Sequence, residues 1–148
     1  MLKDLFAAIY EAGIYDQKYT LIFSTLYDDS GYIKLGLLFI LIPLVFWFLF
    51  YFVWHYPYGK LWHWTLWLFI SAVITFACAY GVANTEIFAS NNQDLTAALN
   101  DHQSGYAQYA ADLPLTYALI NAGLSLVLGF IYSLLLKQFS KIQMHLPF

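Results

Sequence analysis

Two histidines, His55 and His63, are the side chains whose type and spacing best suit chemistry. They flank a turn marked by Pro57 and Gly59, residue types that end helices and permit a tight reversal of the chain. Two imidazoles on neighbouring membrane helices can act as axial ligands of a haem iron or contribute to a metal site. The other hypothesis is an interfacial aromatic belt, because Trp and Tyr side chains anchor helices at the membrane surface. The belt is favoured, since the histidines lie among five such residues: Trp54, Tyr56, Tyr58, Trp62 and Trp64.

Other catalytic patterns are missing from the sequence. Asp101, His102 and Ser104 lie together in a polar stretch, but they lack the sequence pattern of a nucleophile elbow. Cys78 is the single cysteine, which excludes a disulfide framework and a thiolate metal site. All six basic residues are lysines and no glycine-rich phosphate loop is present, which argues against nucleic acids and nucleotides as ligands. We therefore expect a non-enzymatic protein with no catalytic residue, no metal and no cofactor.

The composition indicates a membrane protein. Hydrophobic residues make up 61% of the 148 residues, and charged residues make up 10%, against about 25% in soluble domains. Three apolar runs cover residues 35–53, 65–83 and 115–136, and each is close to the length of about 20 residues that crosses the hydrocarbon core. The sequence thus predicts an all-α integral membrane protein with three transmembrane helices and amphipathic helices on the outer side.

Polar segments divide the chain into four parts. The segment from Ser90 to Asn92 can cap a helix, Gly105 is the expected end of that helix, and Pro114 suits the first turn of the next one. The parts are an amphipathic N-terminal arm (1–31), a transmembrane hairpin (32–83), an acidic and partly helical outer loop (84–113), and a third transmembrane helix with a short cytoplasmic tail (114–148).

The N-terminal arm carries apolar residues at helical spacing, which predicts that they share one face: Leu2, Leu5, Phe6, Ile9 and Tyr10. A helix this short does not span a bilayer, and it covers either its own protein or the lipid surface. The acidic balance of the arm argues against adhesion to anionic lipids. We therefore expect the arm to pack onto its own protein.

Small residues mark the faces along which the membrane helices pack closely. In the third span they recur at steps of three and four, with Asn121 beside them: Ala118, Ala122, Ser125, Gly129 and Ser133. The second span carries a shorter series of the same kind: Ala72, Thr75 and Ala79. Small residues allow two helix backbones to approach in lipid, and the same residues can line a narrow pore in an oligomer. We favour packing, and we expect the third-span stripe to exceed what two helices can cover.

Charge placement predicts the orientation. Lys60 in the turn, with Lys137 and Lys141 after the third span, would lie on one side of the membrane. The 84–113 segment has four acidic residues and no basic one, so it would lie on the other side. Because positively charged loops stay in the cytoplasm, we expect the N-terminus outside and the C-terminus inside, in the plasma membrane, or in the inner membrane of a bacterium.

Three functional hypotheses fit these observations. The first is a structural, anchoring or accessory subunit of an oligomeric membrane assembly, in contact with lipid and with other copies or subunits. The second is a homo-oligomeric pore, because three spans with this orientation resemble the layout of one class of phage holins, a likeness of topology that covers no motif. The third is a membrane anchor that carries haem or a quinone, in which His55 would be an iron ligand.

Overall fold

The chain forms a bundle of three long helices with shorter helices at one end. The computed structural model describes residues 1–12, 14, 16–54, 60–101 and 103–140, and every regular element in these ranges is helical. The helices are α1 (Leu2–Glu11), α2 (Thr20–Asp28), α3 (Gly31–Phe48), α4 (Leu61–Phe88), α5 (Gln93–Asn100), α6 (Tyr106–Ala110) and α7 (Leu113–Lys137). The all-helical class predicted from the sequence is therefore confirmed.

Three helical segments are long and apolar enough to cross a membrane: Gly31–Val53, Leu61–Phe88 and Tyr106–Lys137. They lie where the sequence predicts spans, and they pack against one another, most extensively α4 against α7. The first span ends at Val53, where the predicted apolar run ends, and its last turn, Leu49–Val53, is π-helical because the Trp54 amide donates to the Leu49 carbonyl at 2.8 Å. The other two spans extend beyond the predicted runs, since the second continues to Phe88 and the third begins at Tyr106.

The short helices α1, α2, α5 and α6 lie at the end of the bundle where α3 begins and α4 ends, which we call the cap end. The Asn92 side chain caps α5 as predicted, accepting hydrogen bonds from the amides of Asp94 and Leu95. The prediction that this helix reaches Gly105 is wrong, since α5 ends at Asn100 and Asp101 begins a turn. Gly105 instead precedes α6 with a φ of +64°, a conformation that glycine adopts without steric cost.

Helix α1 packs across the first turns of α3. The Phe6 ring lies over Gly36 and meets the edge of the Phe39 ring with a centroid distance of 5.9 Å. The predicted apolar residues lie on one face of α1, but the rest of the protein covers only part of that face. Phe6, Ala7 and Tyr10 are buried, whereas Leu2, Leu5 and Ile9 are exposed. The arm therefore covers its own protein, as expected, and keeps an apolar outer side as well.

The close approach of α1 to α3 makes Gly36 sensitive to substitution. A Cβ atom at this position would lie 2.6 Å from three carbons of the Phe6 ring. We expect Gly36→Ala to detach α1 and to speed amide exchange in residues 2–11 by about tenfold or more, because overpacking costs about 1–3 kcal/mol. Hydrogen-exchange mass spectrometry measures this effect. Gly81→Ala, at a glycine with no atom within 4 Å of its Cβ position, is the control, and equal exchange in both variants would contradict the packing.

Candidate functional site

The small-residue stripe of α7 lies inside the bundle. Ala118, Asn121, Ser125 and Ser133 are fully buried, and Gly129 is also buried, against α3 and α4 of the same chain. Their counterparts on α4 face the same interior and are buried as well: Ala72, Thr75 and Ala79. The expectation that the stripe exceeds what two helices can cover is not met, since only Ala122 is partly exposed. Within one chain the stripe is a packing surface.

Polar side chains of the stripe pair with other polar groups at successive levels along α7. Nearest the cap end, the Tyr10 hydroxyl donates to Asn121 Oδ1 at 3.2 Å. In the middle, the hydroxyls of Thr75 and Ser125 lie 3.1 Å apart. Further along, the Ser133 hydroxyl contacts two polar side chains, Tyr51 and Trp64. In a bilayer the hydrophobic effect does not drive helices together, because lipid tails are as apolar as the side chains. Hydrogen bonds between helices therefore contribute to their association.

Gly129 forms the closest approach of the three long helices. Its Cβ position would lie 2.8 Å from Trp47 Nε1 and 2.9 Å from Leu68 Cδ1, so α3 and α4 both meet α7 here. The Trp47 side chain is 1% exposed, and its Nε1 has no hydrogen-bond partner among the residues that the structure describes. A side chain at position 129 would occupy the space that the indole fills.

Ser133 joins all three long helices at the opposite end of the bundle. Its hydroxyl lies 2.7 Å from the Tyr51 hydroxyl, and it accepts a hydrogen bond from Trp64 Nε1 at 2.6 Å. The Ser140 hydroxyl donates to the Tyr51 carbonyl at 2.7 Å, which ties the segment after α7 to the end of the first span. Hydrogen bonds between buried groups therefore join the three long helices at this end of the bundle.

The aromatic residues around the hairpin divide between the interior and the surface. Trp64 is buried against Trp47, with a centroid distance of 5.6 Å, whereas Trp62 is 71% exposed. His63 is half-buried in the first turn of α4, and His55 lies outside the described residues, as do the other residues of the turn, 56–59. Within the described ranges, no group of three His, Cys, Asp or Glu side chains is placed to hold a metal ion. The haem or metal hypothesis for His55 and His63 stays a prediction.

Three tyrosines form a buried cluster at the cap end that the sequence did not reveal. The rings of Tyr10 and Tyr32 stack at 5.8 Å, and the Tyr117 ring meets both of them edge-on. The hydroxyls of Tyr32 and Tyr117 are buried and interact with each other, and the Glu11 side chain also interacts with Tyr32. Burial raises the pKa of Tyr10. These residues come from three distant parts of the sequence, so no local spacing indicates the cluster.

A charged cleft is the second feature that sequence reasoning missed. Lys34 Nζ and Glu86 Oε1 lie 2.7 Å apart, joining the start of α3 to the end of α4. Beside this ion pair is a cleft of about 280 Å³ whose wall is mostly polar. Its lining includes Asp29, Lys34, Thr85, Glu86, Ser90 and Asn91. The cleft lies where a membrane-spanning bundle would meet the surface of the bilayer.

No protein-family model, curated protein or solved structure matches this chain. Hydrogen bonds at Thr75–Ser125 and at Ser133 join the long helices, and in the sequence no charged residue lies between Lys34 and Lys60, between Lys60 and Glu86, or between Asp112 and Lys137.

Proposed function

We propose that the protein is a non-enzymatic structural or anchoring subunit of an oligomeric membrane assembly. In this proposal the cap end faces the outside, and the hairpin and the C-terminus face the cytoplasm, because Lys60 and Lys137 mark the hairpin end. One observation carries the proposal: buried hydroxyl groups within the spans form hydrogen bonds between helices, at Thr75–Ser125 and at Ser133 with its two partners. Their chemistry is used for helix packing.

A pore or transporter requires a different interior. Water-filled pathways are lined by polar groups that remain available to the permeating species, and ion-coupled transport places acidic or basic residues within the spans. In the sequence, no charged residue lies between Lys34 and Lys60 or between Lys60 and Glu86. We expect liposomes that contain the purified protein to stay as impermeable to ions as empty ones. A protein-dependent ion flux would contradict the structural assignment and favour the pore.

An apolar groove between α4 and α7 is where we place the contact with a second copy of the chain. The groove has a volume of about 180 Å³ and is lined by Phe69, Ala72, Val73, Phe76 and Ala122. Val73 is 64% exposed at its edge. Small residues beside bulky ones leave a depression that a side chain from a neighbouring helix can fill, which is the form that helix contacts take in lipid.

Oxidative crosslinking in native membranes tests this contact. We expect Val73→Cys, in a Cys78→Ala background, to give a covalent dimer, because a disulfide forms when two Cβ atoms lie about 4 Å apart. The natural Cys78 is exposed, and helical spacing places it on the other flank of α4, so the unmodified chain is the matched control. Crosslinking at Cys78 but not at position 73 would contradict the groove. A chain that stays monomeric in mild detergent and forms no crosslink would contradict the assembly.

A further inference from the structure

The charged cleft at the cap end combines one cation with two carboxylates. The Lys34 side chain is 53% exposed, so its ammonium group retains donors beyond the bond to Glu86. The Glu86 side chain is 17% exposed, and Asp29 lines the same cleft. The last turn of α4 forms the opposite wall, and the C-terminal end of a helix favours positive charge. The cleft therefore has a place for a negative group beside Lys34 and a place for a positive group beside the carboxylates.

An uncovered apolar surface continues from the cleft along both helices. On α3, Leu37 and Leu41 follow Lys34 by one and two turns and are 43% and 48% exposed. On α4, Gly81 and Cys78 precede Thr85 by one and two turns, and both are exposed. No atom lies within 4 Å of the Gly81 Cβ position, so there is open space one helical turn from Thr85, which lines the cleft.

We propose that the cleft binds a phospholipid whose zwitterionic headgroup carries a primary amine, as in phosphatidylethanolamine. Lys34 donates to the phosphate, Asp29 and Glu86 accept from the ammonium group, and an acyl chain lies along Gly81. An anionic headgroup brings no ammonium group to the two carboxylates, and a quaternary amine has no N–H group to donate to them. The inference depends on the bundle lying in a bilayer, and it does not depend on the oligomer.

Lipid binding to the purified full chain in mild detergent tests the proposal. We expect native mass spectrometry to show one bound phosphatidylethanolamine per protomer, at a concentration at least tenfold below that needed for phosphatidylcholine or phosphatidylglycerol. Gly81→Leu fills the open space and should weaken phosphatidylethanolamine binding by about tenfold. Gly123→Leu is the matched control, because Gly123 also has no atom within 4 Å of its Cβ position but lies on α7. Equal loss in both variants would overturn the proposed site.

The headgroup contacts are tested separately from the acyl chain. Asp29 forms no ion pair with any described residue, so Asp29→Asn should leave the fold intact and remove most of the preference for phosphatidylethanolamine over phosphatidylcholine. Soluble phosphoethanolamine should compete only weakly, since it lacks the chain that occupies the Gly81 space. Full competition by phosphoethanolamine, together with unchanged binding to Gly81→Leu, would overturn the lipid in favour of a small soluble ligand. Equal affinity for the three phospholipids would overturn the zwitterionic site.

Discussion

Gly129→Leu is expected to cause the largest loss of stability of any single substitution that we consider. The new side chain would have to displace the Trp47 indole and Leu68, whose atoms lie 2.8 Å and 2.9 Å from the position of its first carbon. Overpacking of a filled interior costs about 1–3 kcal/mol in the free energy of unfolding, and occasionally more. We expect the upper end of this range, because α3 and α4 both meet α7 at this residue and both would have to move.

Titration of the purified protein with sodium dodecyl sulphate, followed by tryptophan fluorescence, measures this loss. Two of the five tryptophans report on this region, since Trp47 packs against Gly129 and Trp64 packs against Trp47. Gly81→Leu and Gly123→Leu are the controls, because neither glycine has an atom within 4 Å of its Cβ position. If Gly129→Leu unfolds at the same detergent concentration as these two variants, the three helices do not meet at Gly129 as described.

The sequence predicted the packing face of α7 but not its partner. Spacing at steps of three and four identifies residues that share a helix face, and Ala118, Ser125 and Gly129 do share one. Spacing contains no information on which helix covers that face. Sequence reasoning therefore left open whether the stripe binds a second copy of the chain, and the structure places it against α3 and α4 of the same chain.

Features that join distant residues were missed for the same physical reason. Lys34 and Glu86 are separated by 52 residues, and their pairing follows from the antiparallel arrangement of α3 and α4. Periodicity places Phe6 and Leu5 on one apolar face of α1, but it does not indicate how much of that face the rest of the protein covers. In the structure Phe6 is buried and Leu5 is exposed. The spans and the Asn92 cap depend on local pattern alone, and these predictions agree with the structure.

Ser133→Ala is expected to have the second-largest effect, because one hydroxyl links the three long helices. It contacts the Tyr51 hydroxyl at 2.7 Å and accepts from Trp64 Nε1 at 2.6 Å. A hydrogen bond between helices in a membrane protein contributes about 0.6 kcal/mol on average and up to about 1.7. The loss of two such bonds at a buried site should lower the free energy of unfolding by about 1–3 kcal/mol.

The proper control for Ser133→Ala is another buried serine whose hydroxyl forms no hydrogen bond to another helix among the described residues. Ser71 is fully buried, and its hydroxyl donates to the Leu68 carbonyl of its own helix at 2.8 Å. Ser71→Ala should therefore change the free energy of unfolding by less than about 1 kcal/mol. A double-mutant cycle between Ser133→Ala and Tyr51→Phe isolates the bond between α7 and the end of the first span. A coupling energy near zero would show that the 2.7 Å contact between Tyr51 and Ser133 does not stabilise the packing of these segments. The proposed structural role would then lose one of the hydrogen bonds between helices on which it rests.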